Sequence, residues 1–225
     1  MKKDYLSGNQ LKIIALIAMT CDHVGVQLFP DFLLLRIIGR LAMPIYAYMI
    51  AEGCRHTRNM GKYLGTMLAF AALCQGVYFF AMGSLYMSIL VTFSLAIGLI
   101  FLVQQAKGGF AAAVPALLAG IAAVYVLTLP GLLPGTDFAI DYGFFGVMLP
   151  VLIYLGRNKW ESLLLCALGL TALALTYGGI QWYGLAALPL LALYSGKRGK
   201  YKMKYLFYIY YPAHLAAIYA ISLLI

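Results

Sequence analysis

The sequence predicts an all-α protein, a polytopic bundle of about nine transmembrane helices whose N-terminus lies in the cytoplasm. Of its 225 residues, 64% are hydrophobic and 10% are charged, and the mean hydropathy is +0.90. Soluble domains carry about 25% charged residues. Apolar runs of about 20 residues recur along the chain, which is the length that a helix needs to cross a bilayer. We therefore expect residues 1–225 to form a single integral-membrane domain.

Nine apolar runs give the predicted spans in chain order. Short stretches that contain glycine, proline or charged residues separate them, as expected for loops at the membrane surface. The seventh and eighth runs are short, so a tilted or partly re-entrant segment is an alternative for each. The predicted spans are residues 9–29, 32–53, 63–82, 85–105, 109–129, 138–156, 161–177, 180–195 and 205–225.

The loops between these spans alternate in charge, which predicts the orientation. Basic residues occur in the stretches 1–8, 54–62 and 196–204 and after the fourth and sixth spans, whereas the intervening loops carry no cation. Cationic loops stay in the cytoplasm, so the C-terminus is expected outside. The same placement accounts for the net charge of +9 without a nucleic-acid partner. The four cysteines have no metal-ligand spacing, and we expect no metal.

Ionisable residues inside the first two spans mark the main candidate site. Asp22 and His23 are adjacent in the first span, and Arg36 and Arg40 are one turn apart in the second. A charge in the bilayer core costs ~2.5–3.5 kcal/mol, so such residues persist where they pair, line a watery cavity or carry out chemistry. Histidine is the natural general base near neutral pH, and a neighbouring carboxylate can fix its tautomer. Adjacent helix positions point about 100° apart, so Asp22 can instead face the arginines.

Two interpretations of this cluster stay open from the residues alone. In the first, Asp22 orients His23, and the arginines bind a phosphate or carboxylate ligand that balances their charge. In the second, Asp22 pairs with one arginine and fixes helix register, Arg36 reaches outward, and His23 bonds a backbone carbonyl. Pro44, later in the second span, is expected to kink the helix and open a cavity.

Three further groups of residues are candidates at other depths. His214 lies in the last span beside Pro212, where catalysis and a structural hydrogen bond are both compatible with the sequence. Asp141 opens the sixth span at the predicted outer interface, as a substrate or structural contact. On the cytoplasmic side, charged residues can bind a nucleotide phosphate or form an ordinary positive-inside loop. The candidate cofactor-binding residues there are Lys12, Tyr48, Glu52, Arg55 and Arg58.

Five segments, in order along the chain, resemble the TraX family. They read LKIIALIAMTCDHVG, LLRIIGRLAMPIYAYMIAEGCRHTRNMGKYL, IDYGFFGVMLPVL, LLALYSGKRG and YLFYIYYPAHL. TraX proteins resemble membrane acetyltransferases, and the founding type N-acetylates the pilin subunit of conjugative pili. The pattern Lys12-x10-His23 and the run LAMPIYAYMIAEG also resemble the acyltransferase-3 group, whose members use cytoplasmic acetyl-CoA and an acceptor on the other side of the membrane.

The resemblance implies an acetyl-CoA-dependent N- or O-acetyltransferase in the bacterial inner membrane. His23 would be the catalytic base, with Asp22 orienting it or stabilising its charged form. Acetyl-CoA would be the co-substrate, and the acceptor would be a peptide, a glycan or a lipid. Direct transfer and a ping-pong route through an acetyl-histidine are both compatible with the residues. The residues implied for substrate or oxyanion contact are Arg36, Arg40, His214 and Asp141.

Two other classes of function remain as alternatives. A proton-coupled transporter of a small anionic solute is one, because intramembrane Asp, His and Arg residues relay protons or bind anions. The sequence shows no internal repeat, which weighs against it. A membrane scaffold or assembly factor is the other, in which the charge pairs fix helix register only.

Overall fold

The computed structural model of the chain describes residues 6–200 and 204–224. In this described part the regular secondary structure is helical, with two isolated parallel bridges, Leu6 with Tyr194 and Met87 with Ile140. The predicted all-α class is thereby confirmed. Lys2, Lys3 and Lys202, which contributed to the predicted orientation, lie outside the described residues, and the orientation stays a prediction.

In the described residues most helices are joined by short connections, and the connection from α6 to α7 is longer. Four stretches of the described residues are long and apolar enough to cross a membrane, namely Leu33–His56, Met60–Phe80, Ile89–Lys107 and Lys159–Tyr177. The count of nine spans stays a prediction. The bounds are α1 Gly8–Gln27, α2 Leu33–Gly39, α3 Ala42–His56, α4 Met60–Met82, α5 Ile89–Lys107, α6 Ala113–Leu127, α7 Gly143–Leu155, α8 Lys159–Tyr177, a 3-10 helix Gly179–Ala186, α9 Ala187–Ala192 and α10 Lys204–Ser222.

The second predicted span is interrupted at Arg40 and Leu41, where α2 ends and α3 begins. The Arg40 amide is shared between the carbonyls of Arg36 and Ile37, each at 3.2 Å, a tightening typical of a helix end. Pro44 lies in the first turn of α3 and lacks the N–H that would bond the Arg40 carbonyl. The interruption expected from Pro44 is therefore a change of helix that falls directly at an arginine of the candidate site.

The seventh and eighth predicted spans differ in form. The seventh becomes the 19-residue helix α8. The eighth becomes the 3-10 helix followed by the six-residue α9. Gly178 lies between α8 and the 3-10 helix, which begins at Gly179, and the two glycines have φ values of +65° and +52°. Glycine reaches this left-handed region without a steric penalty. The eighth segment is thus apolar but shorter than the ~20 residues of a straight membrane-spanning helix.

The chain divides into two compact units. The first unit contains the chain up to Met49 and from Leu163 onward, and the second is Ile50–Ser162. The expectation of a single membrane domain stays a prediction. In the second unit α5 is central, because it packs against α4, α6 and α7.

In the first unit, α1 packs against α2 and α10. Ala18 and Met19 of α1 are buried together with Ala42 at the start of α3, and Tyr210 and Tyr211 of α10 pack against this cluster. In a bilayer, where lipid tails are as apolar as these side chains, such close contacts stabilise the unit through van der Waals packing. The first unit therefore has its own apolar core, which lies along α1 next to Asp22 and His23.

The start of α1 is fixed by the segment that follows α9. The amides of Gly8 and Asn9 donate to the carbonyls of Lys197 and Arg198 at 2.8 and 2.9 Å. Ser7 and Gln10 add a reciprocal capping box. The first N–H groups of α1, which have no partner inside the helix, are satisfied in this way.

Candidate functional site

Helices α1 and α2 approach closely because glycines lie where the two helices meet. A Cβ atom on Gly39 would overlap the side chain of Asp22. A Cβ atom on Gly25 would lie 2.9 Å from the Cβ of Leu35, which is too close for real side chains. The absence of these two side chains brings the carboxylate of α1 within reach of the cations of α2.

Asp22 binds both arginines of the second predicted span. Its Oδ1 accepts a hydrogen bond from Arg36 Nε at 2.9 Å, and both of its carboxylate oxygens lie 2.5 Å from an Arg40 terminal nitrogen. Arg40 also donates from Nε to the Arg36 carbonyl at 3.3 Å. The side chain of Arg40 is 6% exposed, that of Asp22 17% and that of Arg36 32%. The predicted convergence of these three residues is therefore present.

The geometry distinguishes between the two predicted roles of Asp22, which were to orient His23 or to pair with an arginine. Its carboxylate is bonded to guanidinium groups, and among the described residues no hydrogen bond joins it to His23. The predicted orienting contact from Asp22 to His23 is thus replaced by an ion cluster. The reason is the ~100° between adjacent helix positions, which directs the two side chains to different neighbours. Two guanidinium groups on one carboxylate leave this cluster with a net positive charge.

His23 is bonded instead to the other predicted intramembrane histidine. His23 Nδ1 lies 2.7 Å from His214 Nε2, and the two rings lie edge to edge and nearly coplanar, with centroids 5.0 Å apart and 21° between their planes. His214 Nδ1 lies 2.8 Å from the Tyr210 carbonyl, one turn earlier on α10. Both ring nitrogens of His214 therefore have protein partners, so neither is directed to the oxyanion contact that we predicted for it.

Tyr210 braces this histidine pair. Its ring stacks on the His214 ring with centroids 5.2 Å apart. The Thr20 hydroxyl donates to the Leu16 carbonyl at 2.9 Å, so the Tyr210 hydroxyl donates to Thr20 Oγ1 at 2.8 Å. Tyr210 thus contacts α1 and supports His214 at the same time. Sequence reasoning missed this role; the only signal was the four-residue spacing of Tyr210 and His214.

Two of the predicted cofactor residues belong to the first unit. Tyr48 is buried, and its ring meets the ring of Tyr194 edge to face at 6.0 Å. Lys12 is half-buried on α1, near the charge of Arg198. Tyr48 is accordingly a packing residue in this unit, whereas Lys12 lies beside the basic segment after α9.

The other three predicted cofactor residues lie in the second unit. Arg55 donates to Glu52 at 2.7 Å and, from its other terminal nitrogen, to the carbonyls of Ile153, Tyr154 and Gly156 at 2.5, 3.2 and 2.9 Å. The same nitrogen also lies 2.9 Å from Ser162 Oγ. A cation at the end of a helix bonds the last free carbonyls, and Arg55 does so for α7. Its guanidinium is therefore engaged by the protein rather than presented to a ligand.

The remaining predicted residues are an exposed cation and a bonded carboxylate. Arg58 follows α3 and is exposed. Asp141 accepts a hydrogen bond from the Tyr86 hydroxyl at 2.7 Å, and its backbone carbonyl accepts one from Thr92 at 2.7 Å. Asp141 was predicted to make a substrate contact or a structural contact, and these hydrogen bonds are a structural contact. Across residues 6–200 and 204–224, no group of three or more His, Cys, Asp and Glu side chains could hold a metal ion.

Comparison with known proteins places the chain in a family. The family model described as TraX protein matches residues 7–222. A probable fimbrial assembly protein, FimC of serogroup H1 from Dichelobacter nodosus, is 30% identical over 93% of this chain and 93% of its own length. An uncharacterized protein of Rickettsia prowazekii (strain Madrid E) is 53% identical over 38 residues, which are 17% of this chain and 15% of that protein. No solved structure matches the chain. Since the family model spans nearly the whole sequence, the chain belongs to the TraX family.

Proposed function

We propose that this protein is an acetyltransferase of the bacterial inner membrane. It moves an acetyl group from cytoplasmic acetyl-CoA to an amine or hydroxyl at or beyond the membrane. One observation carries the proposal: half-buried His23 is on the same helix pair as the net-positive cluster of Asp22, Arg36 and Arg40. A general base beside a fixed positive charge is what acyl transfer requires.

The proposed step uses His23 as the base. His23 takes a proton from the acceptor while the acceptor nitrogen or oxygen attacks the thioester carbonyl carbon. The new bond to carbon forms, the carbon–sulfur bond breaks, and the departing thiolate takes the proton from His23. Every atom is thereby accounted for, and no further reagent is needed.

The arginines have different roles in this proposal. Arg40 is buried and bonds both carboxylate oxygens of Asp22, so it holds the cluster together. Arg36 is the more exposed of the two and bonds Asp22 only through Nε, so its terminal nitrogens are the proposed donors to the oxyanion. One donor of this kind typically accelerates acyl transfer by about 10²–10³.

The acceptor that we propose is a protein amine on a fimbrial or pilus subunit. The support is the similarity to the probable fimbrial assembly protein of Dichelobacter nodosus, together with the pilin-acetylating founding type of the family. A glycan or lipid acceptor is distinguished by supplying each class to the enzyme with labelled acetyl-CoA.

The test is acetyl-CoA binding and turnover by the purified protein in detergent. We expect the wild type and His23→Ala to bind acetyl-CoA equally, and slow thioester hydrolysis or transfer only in the wild type. Loss of a general base should lower the rate by about 10²–10⁴. The matched control is His56→Ala, since His56 is exposed and on the second unit. Unchanged turnover in His23→Ala would refute the proposal.

The transporter alternative predicts a different result in the same preparation. If neither protein binds acetyl-CoA, reconstitution in liposomes should be followed by a measurement of proton flux on addition of anionic solutes. A flux that depends on His23 would support the transporter and contradict the acetyltransferase.

A further inference from the structure

We propose that His214 is a positioning residue that fixes the tautomer of His23 and makes Nε2 the basic nitrogen of His23. The hydrogen-bond geometry carries this inference. Only its consequence for catalysis rests on the proposed acetyltransferase function.

The argument begins at the Tyr210 carbonyl. A carbonyl oxygen accepts hydrogen bonds and cannot donate them, so the 2.8 Å contact with His214 Nδ1 requires a proton on that nitrogen. A neutral imidazole carries one N–H. The Nε2 of neutral His214 is therefore a lone-pair acceptor.

The same reasoning then passes to His23. Its Nδ1 lies 2.7 Å from His214 Nε2, which can only accept. His23 must therefore donate from Nδ1, and the single proton of its neutral ring is fixed there. The lone pair of His23 is consequently on Nε2, for which the described residues provide no hydrogen-bond partner.

No other group among the described residues fixes the proton of His23 on Nδ1. Asp22, on the same helix, is taken by Arg36 and Arg40. Without His214, the neutral ring would distribute between two tautomers, and the one with a proton on Nε2 could not accept a proton from a substrate at that position. Fixing the tautomer of a catalytic histidine is a task that a buried aspartate performs in serine proteases. Here that role belongs to a second histidine, His214, which is itself hydrogen-bonded to a backbone carbonyl.

His214 is built to position rather than to react. It is 7% exposed, its Nε2 edge is joined to His23, and its face stacks on the Tyr210 ring. His23 is half-buried and so is the more accessible ring. A substrate would accordingly meet His23, whereas His214 acts through it.

The first arm of the test reads the tautomer directly, without any enzymatic activity. The full-length protein is labelled with ¹⁵N-histidine in detergent and examined by NMR at about pH 8, where free histidine is neutral. The chain has three histidines, so His56→Gln and His23→Gln assign the signals. We expect His23 to carry its proton on Nδ1 in the wild type. A proton on Nε2 of wild-type His23 would overturn the proposal.

Three variants separate positioning of His23 from mere packing. His214→Phe keeps a ring but has no acceptor, and we expect the His23 Nε2–H tautomer to become populated. His214→Gln offers a side-chain carbonyl oxygen near the former Nε2 position, and we expect it to restore the Nδ1–H tautomer. Tyr210→Phe keeps the carbonyl and the stacked ring, so it should leave the tautomer unchanged. If His214→Phe folds and shows the wild-type tautomer, His214 does not position His23.

The second arm measures turnover, once the wild type is shown to be active. We expect His214→Phe to lower kcat on the order of 10²-fold with KM nearly unchanged, and His214→Gln to recover most of it. Equal kcat in wild type and His214→Phe would overturn the catalytic part. If the wild type has the Nδ1–H tautomer but transfers no acetyl group to any acceptor, the proposed function fails while the positioning of His23 stands.

Discussion

The two arginine clusters of the molecule differ in how completely the protein satisfies their charges. In the first unit, the single carboxylate of Asp22 forms ion pairs with two guanidinium groups, those of Arg36 and Arg40. In the second unit, the carboxylate of Glu52 forms an ion pair with the single guanidinium of Arg55. The other terminal nitrogen of Arg55 donates to the carbonyls at the end of α7. Both clusters combine arginine with a carboxylate, yet only the first has more guanidinium groups than carboxylates.

The difference indicates which cluster is structural. Arg55 has a carboxylate, three carbonyls and a hydroxyl as partners, so its role is complete without a ligand. Arg36 has one hydrogen bond to Asp22, from Nε, and a side chain that is 32% exposed. A partly buried cation that the protein neutralises incompletely is suited to bind an anion or a developing oxyanion. Counting acceptors thus separates two arginine groups that composition treats alike.

The largest effect should come from Asp22→Asn. This change removes the charge that holds Arg36 and Arg40, and breaking a buried ion pair from one side typically costs about 3–5 kcal/mol of the free energy of unfolding. Reversible unfolding in mixed detergent measures it. Asp31→Asn is the matched control, because Asp31 is an exposed carboxylate in the connection between α1 and α2.

A double variant tests whether the lost stability comes from the arginine charges that Asp22 no longer balances. Adding Arg36→Gln to Asp22→Asn removes one of the two uncompensated cations, so part of the lost stability should return. If Asp22→Asn is as stable as Asp31→Asn, the cluster in the first unit contributes nothing to the fold and the comparison fails.

A smaller loss is expected for Arg55→Gln. The substitution removes charge-assisted hydrogen bonds to the end of α7 and leaves Glu52 without its guanidinium, for a cost of about 1.5–3 kcal/mol. Thermal unfolding followed by circular dichroism measures it, and Arg58→Gln is the matched control because Arg58 is exposed. Acetyl-CoA binding should persist in Arg55→Gln. Loss of that binding at unchanged stability would return Arg55 to the set of ligand-binding residues.

The smallest effect is expected at Asp137, a fully exposed carboxylate in the loop before α7. The Ser84 hydroxyl and then the Leu85 amide, at 2.6 and 2.8 Å, hold the pKa of Asp137 below its ordinary value of 3.8. Since the folded-state pKa is the lower one, this stabilisation is complete above about pH 3.8 and is lost as the pH falls through the folded-state value.

The measurement compares Asp137→Asn with the wild type in thermal unfolding at neutral pH and in acid. At neutral pH the variant should be slightly less stable, by less than either cluster variant. In acid the two melting temperatures should converge. A difference that widens as the pH falls would contradict the sign of the shift.

Much of the first unit could be predicted from local sequence. The approach of Asp22 to the arginines could be predicted as one of two interpretations, because consecutive apolar segments with a short connection place both signs of charge on neighbouring helices. The interruption near Arg40 follows from Pro44, whose missing N–H is a local property. Such features need only the helical period and the chemistry of one residue.

Other features could not be predicted, because they depend on segments far apart in the chain. His23 and His214 are 191 residues apart, and no periodicity indicates that they share a hydrogen bond. The sequence placed Arg55 among the candidate cofactor-binding residues for the same reason, since its carbonyl partners lie about 100 residues later. Backbone acceptors carry no sequence signature, and so the role of Arg55 is invisible in the sequence.

The sequence by itself determined the all-α class, the apolar segments and the charges that had to find partners, because burial of apolar surface and the cost of a buried charge depend on residue type and period. Only the tertiary structure decided which partner each charge found. Adjacent positions on α1 direct Asp22 and His23 to different helices, so α2 takes the carboxylate and α10 takes the imidazole. That choice depends on how helices pack, and it makes a histidine on a backbone carbonyl, rather than the neighbouring aspartate, the group that orients His23.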